Sequence, residues 1–211
     1  ADYLVEVKGQ ELPMHEPRAK HALGVGYAVA PVGADHMMNM HDTGFAQPGE
    51  GLERVAEIKR FPPMAFNDLS HQKMELFYHE VNRKHMLDSA VICHFLPYYP
   101  SHVAEVLGGL TGHDYTPQEL LAVGERAQTL CRLFNLREGF TEEDDRMPRR
   151  VMKAFKEGPL AGVEITQEMF LNARNHWYGL MGWSEAGVPT AERLQSLELT
   201  EILDGMEFVT A

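Results

Sequence analysis

Residues 116–137 read TPQELLAVGERAQTLCRLFNLR, and this stretch carries the clearest helix pattern in the chain. Thr116 is a favourable N-cap, a proline follows at the first helical position, and Glu119 completes a capping box. Beyond Glu119, apolar residues recur at spacings of three and four, which places them on one face of a helix. Cys131, beside that face, is interpreted as a small buried hydrophobic residue. The predicted inward face consists of Leu120, Val123, Ala127, Leu130 and Phe134.

Similar patterns predict helices elsewhere in the chain. Thr166 begins a helix that we expect to end near Gly182, and Thr190 begins a shorter one. Residues 17–31 predict a helix rich in glycine and alanine, whose backbone we expect to lie close to a neighbouring segment or a ligand.

The first residues predict a hairpin. Tyr3, Val5 and Val7 alternate along the chain, and Lys8-Gly9-Gln10 follows as a turn. The predicted fold class is therefore all-α and multihelical, with a short N-terminal β-hairpin. The predicted organisation is a hairpin over 1–16, a small-residue helix and His-rich loop over 17–42, a loop over 43–69, and a helical bundle over 70–211.

Composition excludes several classes of protein. The chain has 211 residues with 31 acidic side chains against 19 Lys and Arg, for a net charge of −12. We find no local basic patch, so a nucleic-acid partner is not expected. No apolar run approaches the ~20 residues that cross a bilayer, so no membrane span is expected. Two cysteines and the absence of a signal-peptide pattern suggest a reducing, cytoplasmic setting.

The segment 70–95 combines helical periodicity with reactive side chains. Met74, Phe77 and Val81 define an apolar face, and the same spacing continues to His85 and Asp88. We therefore expect Asp88 to be buried, where a carboxylate requires a partner. Cys93 follows five residues later. On spacing alone, an aspartate that caps the next turn and a cysteine in the core are the more common arrangement.

A second group of reactive side chains follows the small-residue helix. His36 and His41 flank a Met-rich segment, HMMNMH, and lie five residues apart. That spacing does not place two metal ligands on one helix face, so a self-contained zinc site is poorly supported. Two loop histidines bonded to the backbone are the more common arrangement.

Several stretches together resemble the C-terminal part of the aldehyde:ferredoxin oxidoreductases. They occur in the order found in that family and cover nearly the whole chain. They are VKGQELP at 7–13, GVGYAVA at 24–30, DSAVIC at 88–93, NLREGFTEEDD at 135–145 and YGLMGW at 178–183.

The resemblance implies a multihelical fold and a cofactor set. That set is a tungsten (or molybdenum) bis-pterin and a 4Fe-4S cluster. The family motif Asp-x-x-Gly-Leu-Cys falls on residues 88–93, which implies that Asp88 binds a pterin, that Ile92 lies at the cofactor and that Cys93 ligates the cluster. His36 is implied as the acid or base near the metal. His41 and His85 are weaker candidates for the pocket wall.

Two features depart from the family pattern. Val91 and Ile92 replace the usual glycine and leucine, and His94 stands where the family often has lysine. The three other cluster cysteines, the first pterin motif and a β-rich domain precede this region in the family. We therefore expect the chain to be a C-terminal part that is inactive alone.

Three partners follow from the resemblance. They are the missing N-terminal region, ferredoxin or another electron carrier, and an aldehyde or related substrate. A related branch, the tungsten subunit of class II benzoyl-coenzyme A reductases, reduces aromatic rings. The rival interpretation is a non-catalytic His- and Met-rich helical module that binds a metal ion or a partner protein.

Overall fold

The chain begins with a tight hairpin that depends on an unusual turn. Strands β1 (Glu6–Val7) and β2 (Gln10–Glu11) pair antiparallel. Lys8 and Gly9 between them have φ angles of 51° and 81°. Two successive positive φ angles give the turn type whose twist matches paired strands. The predicted hairpin is confirmed.

The computed structural model describes residues 3–201, and helices dominate that part of the chain. None of the described helices is long and apolar enough to cross a membrane. The predicted all-α, multihelical class is confirmed. The helices are α1 (His21–Val29), α2 (Glu50–Ala56), α3 (His71–Ser89), α4 (Pro100–Thr111), α5 (Pro117–Arg137), α6 (Gln167–Leu180) and α7 (Ala191–Ser196).

The predicted starts of α5 and α6 are correct because their signals are local, whereas the helix predicted over 17–31 is shorter and spans His21–Val29. The Thr116 hydroxyl accepts a hydrogen bond from the Glu119 N–H at 3.2 Å, and the Glu119 carboxylate accepts one from the Thr116 N–H at 2.7 Å. Thr166 caps α6 in the same way, accepting from the Met169 N–H at 3.1 Å. Such caps satisfy N–H groups that have no partner within the helix.

The predicted inward face of α5 is wrong. Leu120 is buried, but Val123 and Phe134 are exposed, and Cys131 is exposed as well. A Cβ atom on Gly124 would lie 1.9 Å from the carbonyl oxygen of Asn82, so this glycine is what allows α5 to lie directly against α3. The buried face is Leu120, Leu121, Gly124, Glu125, Gln128, Thr129, Arg132 and Leu133.

Polar pairing explains why this face is buried. Gln128 Nε2 donates to Asn82 Oδ1 at 2.6 Å, and the Glu125 carboxylate accepts from Tyr78 and from Arg193. A buried polar side chain is tolerated when its hydrogen bonds are made. Apolar periodicity therefore selected the wrong face of α5.

Two predicted segment boundaries also need correction. The segment 43–69, expected to be loop, contains α2, whose Leu52 and Val55 pack into the core. The expected bundle over 70–211, of which residues 202–211 lie outside the described part, is interrupted between Arg137 and Gln167, where the chain forms turns. The glycine and proline residues near α2 predicted a loop although the chain forms a short helix there. The irregular segment between Arg137 and Gln167 is held in place by tertiary contacts.

Two of the three core clusters position the longer helices. In the main core, Phe77 on α3 and Trp177 on α6 are fully buried, with ring centroids 6.2 Å apart. A second cluster joins Leu87 near the end of α3 to Val103 on α4 and Leu120 on α5. The C-terminal end of α3 is thus fixed by packing that is separate from the main core.

The buried carboxylate of Asp145 connects four parts of the chain. It lies 2.6 Å from Lys8 Nζ and 3.0 Å from Arg132 Nη1, and it accepts a hydrogen bond from the Tyr178 hydroxyl. Lys8 Nζ also donates to the carbonyls of Ala28 and Ala30, at 2.5 and 3.1 Å. The hairpin, the end of α1, α5 and α6 are therefore linked through one acidic group.

We predict that Asp145→Asn lowers the free energy of unfolding by ~3–5 kcal/mol, because it leaves two buried cations, Lys8 and Arg132, without a counter-charge. Urea unfolding followed by circular dichroism measures the change. The matched control is Asp114→Asn at an exposed position. Equal stability of the two variants would contradict the role given to Asp145.

Candidate functional site

Helix α3 ends in a backbone turn that lies between Asp88 and Cys93 in the chain. The Val91 N–H donates to the Asp88 carbonyl at 3.0 Å, and the Ile92 N–H donates to the Leu87 carbonyl at 2.9 Å. Val91 has a φ of 58°. These bonds form a Schellman motif, which usually has glycine at this position. The backbone therefore has the shape that the family's glycine favours, although the side chain here is β-branched.

Ile92 contributes to this turn through its side chain. It packs against the cluster that contains Leu87, as the residue after a Schellman turn commonly does. The sequence placed Ile92 at a cofactor on the basis of resemblance. In the structure its N–H and its side chain both hold the helix end in place.

The structure corrects the expected burial of Asp88. Val81 and His85 are buried as predicted, but the helix ends at Ser89 and the Asp88 side chain is 49% exposed. Cys93 is exposed too, so it is not a core residue. Val91 and Phe95 beside it are 93% and 83% exposed. The end of α3 thus presents a carboxylate, a thiol and apolar side chains to the outside.

His94 and Lys84 join this helix end to the His-rich loop, which is the segment after α1 that contains His36 and His41. His94 Nε2 lies 2.8 Å from Asp88 Oδ1, and its Nδ1 lies 3.1 Å from the Met37 carbonyl oxygen. Lys84 Nζ donates to the Met37 and Asn39 carbonyls at 2.8 and 2.6 Å. Met37, which follows His36, is therefore connected to Asp88 through the imidazole ring of His94.

Charge near the helix end favours an ionised Asp88. Partial burial by itself raises the pKa of this carboxyl, but the hydrogen bond and charge of His94, with His85 and Lys84, outweigh that effect and lower the pKa below its usual value. His85 is buried, and burial lowers its pKa to about 4. At neutral pH the carboxylate is charged and the His85 ring is neutral.

Two aspartates fix the ends of the His-rich loop. The Asp35 carboxylate accepts from the Met37 N–H at 2.6 Å. The fully buried Asp42 accepts from the Leu23 N–H at 3.0 Å and pairs with Lys73 Nζ at 2.9 Å. These contacts hold the loop against the N-terminus of α1 and against α3.

The small residues of α1 allow the loop to lie close to the helix. A Cβ atom on Gly26 would lie 2.3 Å from Asn39 Oδ1, and one on Gly24 would lie 3.0 Å from Met147 Sδ. The expectation that this backbone approaches a neighbour is confirmed. The neighbour of Gly26 is the His-rich loop itself.

Three imidazole rings lie together, and two of them contact the ammonium group of Lys20. The ring centroid of His15 lies 4.7 Å from those of both His36 and His41. Lys20 Nζ lies 3.3 Å from His15 Nδ1 and 2.9 Å from His41 Nδ1. His41 Nε2 lies 3.0 Å from the carbonyl oxygen of His36. With Lys20 as donor to Nδ1, His41 carries its proton on Nε2 and donates it to that carbonyl.

Two of these histidines, His15 and His41, are held in the neutral form by their surroundings. Burial, together with the charges of Lys20 and Lys84, lowers the pKa of His41 to about 4. Burial and Lys20 also lower the pKa of His15. Within residues 3–201, no group of three His, Cys, Asp or Glu side chains is arranged to hold a metal ion. The sequence pattern did not reveal His15 or Lys20, because tertiary folding brings them to the loop.

Comparison with known proteins places this chain in a family. A family model described as "Aldehyde ferredoxin oxidoreductase, domains 2 & 3" matches residues 1–199. The chain belongs to the aldehyde ferredoxin oxidoreductase family. The resemblance seen in the sequence is thereby confirmed.

Members of the aldehyde ferredoxin oxidoreductase family are similar along nearly the whole chain. The tungsten-containing aldehyde ferredoxin oxidoreductase of Pyrococcus furiosus is 30% identical over 200 residues, which cover 92% of this chain and 31% of that protein. The enzyme of the same name from Pyrococcus abyssi is 28% identical over 207 residues, or 96% of this chain and 32% of that protein. The chain thus spans about a third of the length of these relatives.

One solved structure shares the fold. The active-site complex BamBC of benzoyl-coenzyme A reductase, solved with 1,5-dienoyl-CoA, superposes with a TM-score of 0.61 at 18% identity. The match covers 95% of this chain and 33% of the other. It supports the same helical architecture.

We predict that His85→Gln reduces the loss of stability on acidification. The folded-state pKa of His85 is about 4, against 6.5 for a free histidine, so the unfolded chain binds the proton first. The neutral His85 ring therefore contributes fully to the free energy of unfolding above pH 6.5, and this contribution is lost as the pH falls towards 4. Between pH 7 and pH 5 the variant should lose ~1–2 kcal/mol less than the wild type.

Urea unfolding at the two pH values tests this prediction. His113→Gln is the control, since the His113 side chain is 59% exposed. The same pH dependence in wild type and His85→Gln would show that His85 is not held neutral by the fold.

Proposed function

We propose that this chain is the C-terminal, cofactor-contacting part of a tungsten-bispterin, iron–sulfur oxidoreductase. Its reaction would be the two-electron oxidation of an aldehyde to a carboxylic acid with ferredoxin as acceptor, or a related low-potential reduction. The observation that carries the proposal is the placement of a half-exposed Asp88 and an exposed Cys93 beside the loop of His36. The names of the relatives favour tungsten over molybdenum.

Cys93 is suited to hold one iron of a 4Fe-4S cluster. A thiolate is the soft ligand that such clusters require, and this thiol is exposed. The sequence contains two cysteines, and Cys131 lies on α5. Because a cubane cluster takes four cysteine ligands, the others would come from polypeptide outside this chain. The isolated chain is therefore expected to be inactive.

Asp88 is suited to orient a pterin. Asp88 Oδ1 lies 2.8 Å from His94 Nε2, while the other carboxylate oxygen has no ion-pair partner within residues 3–201. A charged carboxylate accepts N–H donors more strongly than a neutral acceptor does. The lowered pKa of Asp88 keeps it in the charged form at neutral pH.

His36 is suited to exchange a proton with the substrate. Its ring packs against that of His15, and its carbonyl accepts a hydrogen bond from His41, so the residue is held from two sides. Free imidazole titrates near neutrality, as an acid or base catalyst at neutral pH requires. When bound, the tungsten centre supplies the two-electron redox chemistry, and this chain orients the pterin and moves the proton.

The first test compares the two cysteines in the complete enzyme that carries this chain. We predict that Cys93→Ser lowers the iron content and alters the electron paramagnetic resonance signal of the reduced cluster, because a hydroxyl is a poor substitute for a thiolate ligand. Cys131→Ser is the matched control and should leave both unchanged. Full iron content and an unaltered signal in Cys93→Ser would refute the ligand role.

The second test addresses proton transfer. His36→Asn in the same enzyme should lower turnover by roughly 10²-fold or more, because general acid–base catalysis contributes about that much. Tungsten content, measured by mass spectrometry, should stay the same. His113→Asn, at an exposed position, is the control. Unaltered turnover would remove His36 from the mechanism, and loss of tungsten would instead give it a binding role.

A further inference from the structure

A basic groove lies on the acidic chain, away from the residues assigned above. Five cations between Arg146 and Lys156 line it, together with the aromatic rings of Tyr3 and Phe155. The expectation of no local basic patch is therefore wrong. The basic residues that form the patch are close together in the sequence, in the segment RMPRRVMKAFK at 146–156. The five cations are Arg146, Arg149, Arg150, Lys153 and Lys156.

The fold holds these cations outward on an anchored segment. Met147 and Val151 are buried in the main core, so the residues between and beside them point to the surface. Arg18 Nη1 donates to the Lys153 carbonyl at 2.6 Å, and its guanidinium carbon lies 3.5 Å from the centroid of the Phe155 ring. Although the segment has no helix, its position is fixed from both sides.

The cations of the groove have no acidic partner. Within residues 3–201, none of the five lies within ion-pair distance of a carboxylate, whereas Arg18 is already paired with Glu16. Glu6, the acidic residue that lines the groove, accepts a hydrogen bond from the Gly9 N–H. Five positive charges that have no carboxylate partner in the described part of the chain, which carries a net charge of −12 overall, form a local region that attracts anions.

We propose that this groove binds a small phosphorylated ligand, with its phosphates on the arginines and its organic part on the exposed aromatic rings. Guanidinium groups recognise phosphate oxygens through paired hydrogen bonds. The groove has a volume of about 860 Å³, within the range of small-molecule sites. Its concave shape favours a small ligand over the flat contact made by an acidic protein.

Isothermal titration calorimetry of the 211-residue chain with ADP and with tripolyphosphate tests the proposal. We expect saturable binding of both, weakened when the salt concentration is raised. Tighter binding of ADP than of tripolyphosphate would support the role given to the aromatic rings. Equal affinities would overturn that role and leave the arginines as a site for phosphate alone.

The variants locate the binding. The double change Arg149→Ala and Arg150→Ala should weaken binding at least 10-fold, and Lys156→Glu should weaken it independently. The charge-matched control is Arg126→Ala with Arg137→Ala, at exposed positions on α5. Absence of saturable binding, equal losses in the control, or binding of an acidic protein alone would overturn the proposal. Thermal unfolding of each variant checks that the fold is kept.

Discussion

The buried Asp145 carboxylate is the constraint on which much of this structure depends. It lies in a segment without helix, yet it pairs with Lys8 from the hairpin and Arg132 from α5. Because Lys8 also donates to the carbonyls of Ala28 and Ala30, the same network fixes the point where the chain leaves α1 for the His-rich loop. The geometry around His36 is therefore supported by contacts made far away in sequence.

Local signals predicted the ends of elements better than their faces. Thr116 and Thr166 cap their helices with bonds to residues three positions away, so the sequence contains the whole interaction. The buried face of α5 depends instead on the close approach of Gly124 to Asn82 and on polar pairs between helices. Apolar periodicity carries no information about such partners, which explains why Phe134 was expected inside.

The residues of the candidate site likewise fall into those that the sequence reveals and those that only the folded chain brings together. Resemblance and unusual residue types singled out His36, Asp88 and Cys93 from sequence. The burial of Asp88 could not be predicted because α3 ends one residue later, at Ser89, and the chain then turns at Val91. Neither His15 nor Lys20 could be found, since only the folded chain brings the first to His36 and the second to His41.

The central claim is that the end of α3 and the His-rich loop form one part of a cofactor site. The most direct measurement is anomalous diffraction at the iron edge from crystals of the complete enzyme. The claim predicts an iron peak at bonding distance from the Cys93 sulfur, with a pterin against Asp88. A Cys93 covered by protein side chains, with no iron near it, would contradict the claim.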